Sequence, residues 1–95
     1  MDNFKHDEGK LRYSLLDFTF LKQIVKIREY GVKKYRDPEG WKKVPDAKQR
    51  YKEALLRHIF AWAEGEEVDP ESGLPHLAHA ACNIMFIFGL KGELL

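Results

Sequence analysis

The sequence predicts an all-α fold: a small bundle of three main helices, completed by association with further copies of the chain. Three observations lead there. Apolar residues recur at a 3.6-residue period through two segments, near positions 20–32 and 47–62. A third segment, 74–90, is apolar on nearly every side, more than two other helices in a chain of 95 residues can cover. No stretch alternates apolar and polar residues for long enough to argue for a strand, and there is no internal repeat.

Taken in order, residues 1–14 read as an irregular arm, with turn chemistry at Asp7-Glu8-Gly9-Lys10. The first helix starts near Asp17 or Thr19, either of which has N-cap chemistry. Phe20, Ile24, Ile27 and Gly31 make its inner stripe, widened by Leu21, Val25 and Val32. Lys33 and Lys34 lie toward its C-terminal end, where the helix dipole favours cations, and Gly31 marks close packing or the start of that end. Arg36-Asp37-Pro38-Glu39-Gly40 is a turn, followed by Trp41. The second helix begins around Asp46, behind Pro45. Its inner face is Ala47, Tyr51, Ala54, Leu55, His58 and Trp62, while Glu53 and Arg57 are spaced for an i, i+4 ion pair. Gly65 ends it. The loop 66–73 carries the turn signals Asp69-Pro70 and Ser72-Gly73. Pro75 suits the first position of the third helix, which runs to Gly89 or Gly92.

Composition bounds the function. An apolar share of 44% with 13% aromatics describes a folded domain, here a single one over 1–95. The first residues have no apolar core of a signal peptide, and the 74–90 run is interrupted by two histidines and an asparagine, so no membrane span is expected. The single cysteine, Cys82, rules out an internal disulfide, fits a reducing cytoplasm, and reads as a buried inert thiol. Net charge is only +1, but residues 22–52 hold eleven Lys/Arg against four acids, and residues 53–73 one Arg against six acids. A basic segment followed by an acidic one suits a metal–polyphosphate ligand, and equally two solvated faces or a self-complementary surface.

The chemistry gathers between positions 57 and 83. His76, His79 and Asn83 are spaced i, i+3, i+7, one polar stripe on an otherwise apolar helix. Such a stripe is partly buried and has to be satisfied, by structural hydrogen bonds or by a ligand. His58, on the apolar face of helix two, is expected to look toward it. With Asp69 and Glu71 from the loop, the imidazoles make an N/O donor set suited to a transition metal, and the carboxylates alone suit Mg²⁺ or Mn²⁺. Among these, Glu71 is the preferred base. No Gly-rich phosphate loop, paired cysteine motif or nucleophile elbow is present, so Lys10, Arg12, Lys33, Lys34 and Arg57 are the phosphate candidates. Trp41, Tyr35 and Trp62 are the aromatics available to stack on a base, with Trp62 assigned to the core.

The segments Asp7-Glu-Gly-Lys10-Leu-Arg12-Tyr-Ser-Leu-Leu16, Tyr30-Gly-Val-Lys-Lys34-Tyr35, Trp41-Lys42, Ala54-Leu-Leu-Arg57-His58 and Asp69-Pro-Glu-Ser-Gly-Leu-Pro-His76-Leu-Ala-His79-Ala-Ala-Cys-Asn83 resemble the N-terminal domain of the dATP/dGTP diphosphohydrolases, a group frequent in bacteriophages. The resemblance implies kinship with the all-α nucleotide pyrophosphohydrolases of the MazG type. Those split a deoxynucleoside triphosphate into monophosphate and pyrophosphate with Mg²⁺ or Mn²⁺, on a helical fold that oligomerises. In the MazG type the metals sit on a Glu-Glu-x2-Glu run and a Glu-x2-Asp run. This sequence has neither, and carries Arg57-His58 and His76, His79, Asn83 at the corresponding places.

The expected function is therefore metal-dependent hydrolysis of a purine deoxynucleoside triphosphate, with His58, Asp69, Glu71, His76 and His79 on the cation. Lys10, Arg12, Lys33, Lys34, Trp41, Arg57 and Asn83 are the expected substrate contacts. Two rivals stand beside it: a module that sequesters a nucleotide or nucleotide-derived signal without cleaving it, and a purely structural helical assembly unit. The expected partners are a nucleotide and further copies of the chain, not a membrane or a nucleic-acid polymer.

Overall fold

A computed structural model of the chain describes residues 5–90, and these form three helices with no strand. Helix α1 spans Phe18–Tyr35, α2 spans Ala47–Ala63 and α3 spans His76–Leu90. The all-α bundle is as expected. Before α1 the described part of the arm is exposed throughout, with one 3-10 turn at Tyr13–Leu15.

The helix ends follow local chemistry, with three departures from the sequence reading. Asp17 is the N-cap of α1, accepting from the Thr19 N–H at 3.0 Å. The helix does not yield at Gly31. It continues for another turn and ends on Arg36, whose left-handed backbone (φ 64°) lets its N–H bond the Val32 carbonyl. Asp46 does precede α2, but in a left-handed conformation (φ 53°), and its side chain makes no capping bond. The close of α2 is a Schellman motif: Gly65 has φ 104°, its N–H bonds the Trp62 carbonyl, and the Glu66 N–H bonds that of Ala61. Pro75 stands just outside α3, where its carbonyl accepts from the N–H groups of Ala78 and His79. From there α3 runs to at least Leu90; Gly92 lies outside the described residues.

The α2–α3 pair is antiparallel, because Tyr51, early in α2, meets Phe86, late in α3, while His58, late in α2, meets His76 and His79 at the start of α3. The loop between them closes on itself. The Asp69 N–H bonds the Leu74 carbonyl, the His76 N–H bonds the Glu67 carbonyl, and Val68 and Pro75 form an isolated antiparallel bridge. On the other side of α3, Ile27 of α1 packs with Ala78 and Cys82, flanked by Ile24, Leu74 and Phe86. Burial pushes the Cys82 thiol up to about 11, so it stays protonated and inert, as expected.

The aromatic assignment is reversed. Trp41 is half-buried, stacked on Phe86 with centroids 4.9 Å apart and accepting the Tyr51 hydroxyl at its carbonyl. Trp62 is 41% exposed. The i, i+4 pair also fails to form: Glu53 accepts from Gln49 instead of Arg57. No helix among the described residues is long and apolar enough to cross a membrane.

Two glycines make opposite predictions. A Cβ on Gly89 would lie 2.8 Å from the Trp41 ring, which Phe86 holds from moving. Gly89→Ala therefore costs about 1–3 kcal/mol of stability through overpacking. A Cβ on Gly31 meets nothing within 4 Å, so Gly31→Ala gains roughly 0.5–1 kcal/mol from helix entropy, unless a second chain packs there. Urea titration of the two variants checks both signs.

Candidate functional site

The functional side chains meet where α2 ends and α3 begins, because the closed loop sets those two ends against each other. His76, only 4% exposed, is held at both ring nitrogens: Nε2 lies 2.6 Å from Glu66 Oε1 and Nδ1 lies 2.8 Å from His58 Nδ1. His79 Nε2 lies 2.7 Å from Ser72 Oγ and 3.5 Å from Asp69 Oδ2. The His58 and His79 rings stack with centroids 4.4 Å apart and planes within 5°. The three imidazoles and Asp69 thus converge as expected. Asp69 is organised by its own turn, accepting from the Glu71 N–H and the Ser72 hydroxyl.

The remaining expected residues lie apart from this cluster. Glu71 bonds Tyr30 Oη at 2.9 Å and Lys34 Nζ at 3.1 Å, both on α1. That contact carries the basic end of α1 to the loop that holds Asp69. Asn83 is buried, but its amide donates to the His79 carbonyl along its own helix. Lys33 borders an open groove between α1 and α3 lined by Ile24, Val25, Val32 and Met85, a mostly apolar surface unlike a phosphate site. Arg57 is exposed on α2 beside His58. Lys10 and Arg12 lie exposed in the arm. Trp41 is half-buried against Phe86, as described.

Three partners escaped the sequence reading: Glu66, Ser72 and Tyr30. Ser72 had a local signal, since Asp-x2-Ser is turn chemistry in which the hydroxyl caps back on the carboxylate. Glu66 and Tyr30 had none, because they reach their partners across 10 and 41 residues of sequence.

Protonation follows from these contacts. Burial, reinforced by the neighbouring His79 and His76, pushes His58 down to about 4, and burial lowers His79 as well. Both are neutral at pH 7. Burial alone would raise the Asp69 carboxyl, but the Glu71 N–H and the Ser72 hydroxyl outweigh it and hold it below the usual range. Hydrogen bonds from Lys34 and Tyr30 lower Glu71.

The hydrogen bonds leave His76 without a donor nitrogen for a metal ion. Both nitrogens of His76, Nδ1 of His58 and Nε2 of His79 are engaged within the protein. Among the described residues no three His, Cys, Asp or Glu side chains form a group able to hold a cation. What the cluster offers is two neutral imidazoles anchored on one side.

Fold and site together define a small all-α domain with an imidazole–carboxylate cluster beside a basic helix end. The family model described as dATP/dGTP diphosphohydrolase, N-terminal, matches residues 1–93, and the chain belongs to that family. It is 34% identical over 90 residues to a protein of Salmonella phage PMBT28 named dATP/dGTP diphosphohydrolase. That alignment covers 95% of this chain and 30% of the relative, so the chain spans under a third of the relative's length. No solved structure matches.

A pH dependence follows. An unfolded His58 binds its proton near the ordinary value of 6.5, the folded one only near 4. The unfolded state therefore holds more protons between those values, and stability is full above pH 6.5 and lost as pH falls toward 4. His79 acts in the same direction. The melting temperature is expected to drop between pH 7 and 4.5, and His58→Gln to flatten that slope. An equal slope in the variant would remove His58 as its cause.

Proposed function

We propose that the domain hydrolyses the α–β phosphoanhydride of purine deoxynucleoside triphosphates, releasing monophosphate and pyrophosphate. The observation that carries this reading is the pair of stacked, neutral imidazoles held by Asp69, Ser72, His76 and Glu66 next to the loop reached by Lys34. Family membership and the name of the phage relative support the reaction and the substrate class. A water oxygen bonds the α-phosphorus, the bond from that phosphorus to the bridging oxygen breaks, and pyrophosphate leaves. Lys34 and Arg57 neutralise charge on the departing phosphates, with Lys33 adding to the local positive field. Mg²⁺ or Mn²⁺ enters in this reading as part of the substrate, carried on the triphosphate, and the carboxylates of Asp69 and Glu71 are the oxygen donors the loop presents to it.

Incubating the protein with a panel of nucleoside triphosphates and Mg²⁺ or Mn²⁺ tests the reaction. Monophosphate and pyrophosphate from dATP and dGTP are expected. Ligand-induced thermal stabilisation with no product would favour sequestration. In a hydrolysing protein, Lys34→Ala is expected to raise KM several-fold, with the penalty shrinking as salt rises, because an exposed lysine acts through screened attraction. A KM unchanged at low salt would remove Lys34 from the substrate site.

We also propose that the domain works as a homo-oligomer. Phe60, Ile84 and the groove between α1 and α3 present apolar area for a second copy to cover. Light scattering at micromolar concentration is expected to give a dimer mass or larger, and a monomer mass would count against the assembly.

A further inference from the structure

The hydrogen bonds around His76 determine which nitrogen of His58 bears a lone pair. A carboxylate oxygen only accepts, so His76 Nε2–H donates to Glu66 Oε1. The Nδ1 of a neutral His76 is then a lone pair, and it accepts from the Nδ1–H of His58 at 2.8 Å. The single proton of neutral His58 is thereby placed on Nδ1, leaving Nε2 bare. That Nε2 has no hydrogen-bond partner among the described residues, and no fully buried side-chain nitrogen or oxygen there lacks one, so His58 Nε2 reaches solvent. It sits at the tip of the ring, away from the backbone of α2.

His79 is arranged similarly, but its other ring nitrogen is the bare one. Asp69 Oδ2 takes the Ser72 hydroxyl proton, so Ser72 Oγ accepts from the Leu74 N–H and from His79 Nε2–H. The bare nitrogen of His79 is Nδ1, next to Cγ and so closer to its own backbone than Nε2 is.

We propose that His58 is the catalytic base of the hydrolysis, with His76 and Glu66 as positioning residues that present its Nε2 lone pair to the attacking water. The proposal rests on the hydrolytic reading above. As the water oxygen bonds the α-phosphorus, one water O–H bond breaks and its proton goes to His58 Nε2, while the pyrophosphate oxygen leaves with the electron pair of the broken P–O bond. The imidazolium keeps its Nδ1–H directed at His76, whose far side faces the Glu66 carboxylate, so the new charge meets a negative end two bonds away. Burial disfavours that charge in the free protein; a bound triphosphate, with several negative charges, favours it. Base strength thus rises when substrate is present.

Three proteins decide it: wild type, His58→Gln and Glu66→Gln. Glu66 is exposed enough for its variant to fold even if the His58 variant does not. With Mg²⁺ and dATP or dGTP, His58→Gln is expected to lose about 100-fold or more in kcat with KM within about twofold. Glu66→Gln is expected to lose kcat partially, since an amide can also donate to His76 and reverse the proton order. Nitrogen-15 spectra of the imidazoles supply a readout that hydrolysis does not touch. They are expected to show His58 bare at Nε2 in wild type, with protonated Nε2 gaining population in Glu66→Gln. A His58→Gln protein that keeps kcat within threefold, or a wild-type His58 protonated at Nε2, overturns the proposal and leaves the hydrolytic reading standing. A wild type that cleaves no triphosphate overturns both.

Discussion

Burial of the His76 imidazole is the constraint from which the arrangement of α2 and α3 follows. A ring at 4% exposure with an unpaired nitrogen would forfeit about 1–3 kcal/mol, so both nitrogens need partners, and they come from different places. Glu66 supplies one from the loop and His58 the other from the neighbouring helix. Meeting both conditions fixes how far α2 slides along α3, and the loop adds its own condition when Glu67 accepts the His76 N–H. The far end of the pair is set by shape instead, where Trp41 and Tyr51 close around Phe86 and Gly89 leaves room for the indole. One end of the pair is specified by hydrogen bonds and the other by aromatic packing.

Helix α1 is held less firmly. Its apolar contribution centres on Ile27, with Phe20 and Val25 still exposed. Its polar tie to the site is the Glu71–Lys34–Tyr30 contact, made by exposed side chains. Exposed ion pairs of this kind contribute little to stability. The contact matters for position: it brings a cation to the loop that organises Asp69, where an anionic ligand would compete with Glu71 for the same ammonium group.

Much of this could be read from residues alone. The helices were legible because periodicity survives without tertiary knowledge, and Gly65 because a left-handed C′ position favours glycine. Arg36 and Asp46 were not legible in the same way, since a non-glycine residue takes a left-handed backbone only when its surroundings impose it. The i, i+3 spacing set His76 and His79 against His58, while Asn83, a turn further on, makes its hydrogen bond within α3. The two tryptophans were exchanged because burial of Trp41 depends on Gly89, nearly fifty residues away, and no local pattern carries that information.

The use of histidines and not carboxylates at the start of α3 has a physical consequence. The start of α3 is lined by Ala78, Ala80 and Cys82, all buried, and a carboxylate among them would face a large desolvation penalty unless a cation neutralised it. An imidazole escapes this by being neutral. His58 is neutral at pH 7 because burial lowers its proton affinity, and His76 keeps a low-exposure position by donating on one side and accepting on the other. Carboxylate clusters collect metal ions because their charges demand them. Neutral imidazoles in a chain of directed hydrogen bonds hold a lone pair in a chosen direction instead. Such an arrangement suits proton transfer better than storage of a cation.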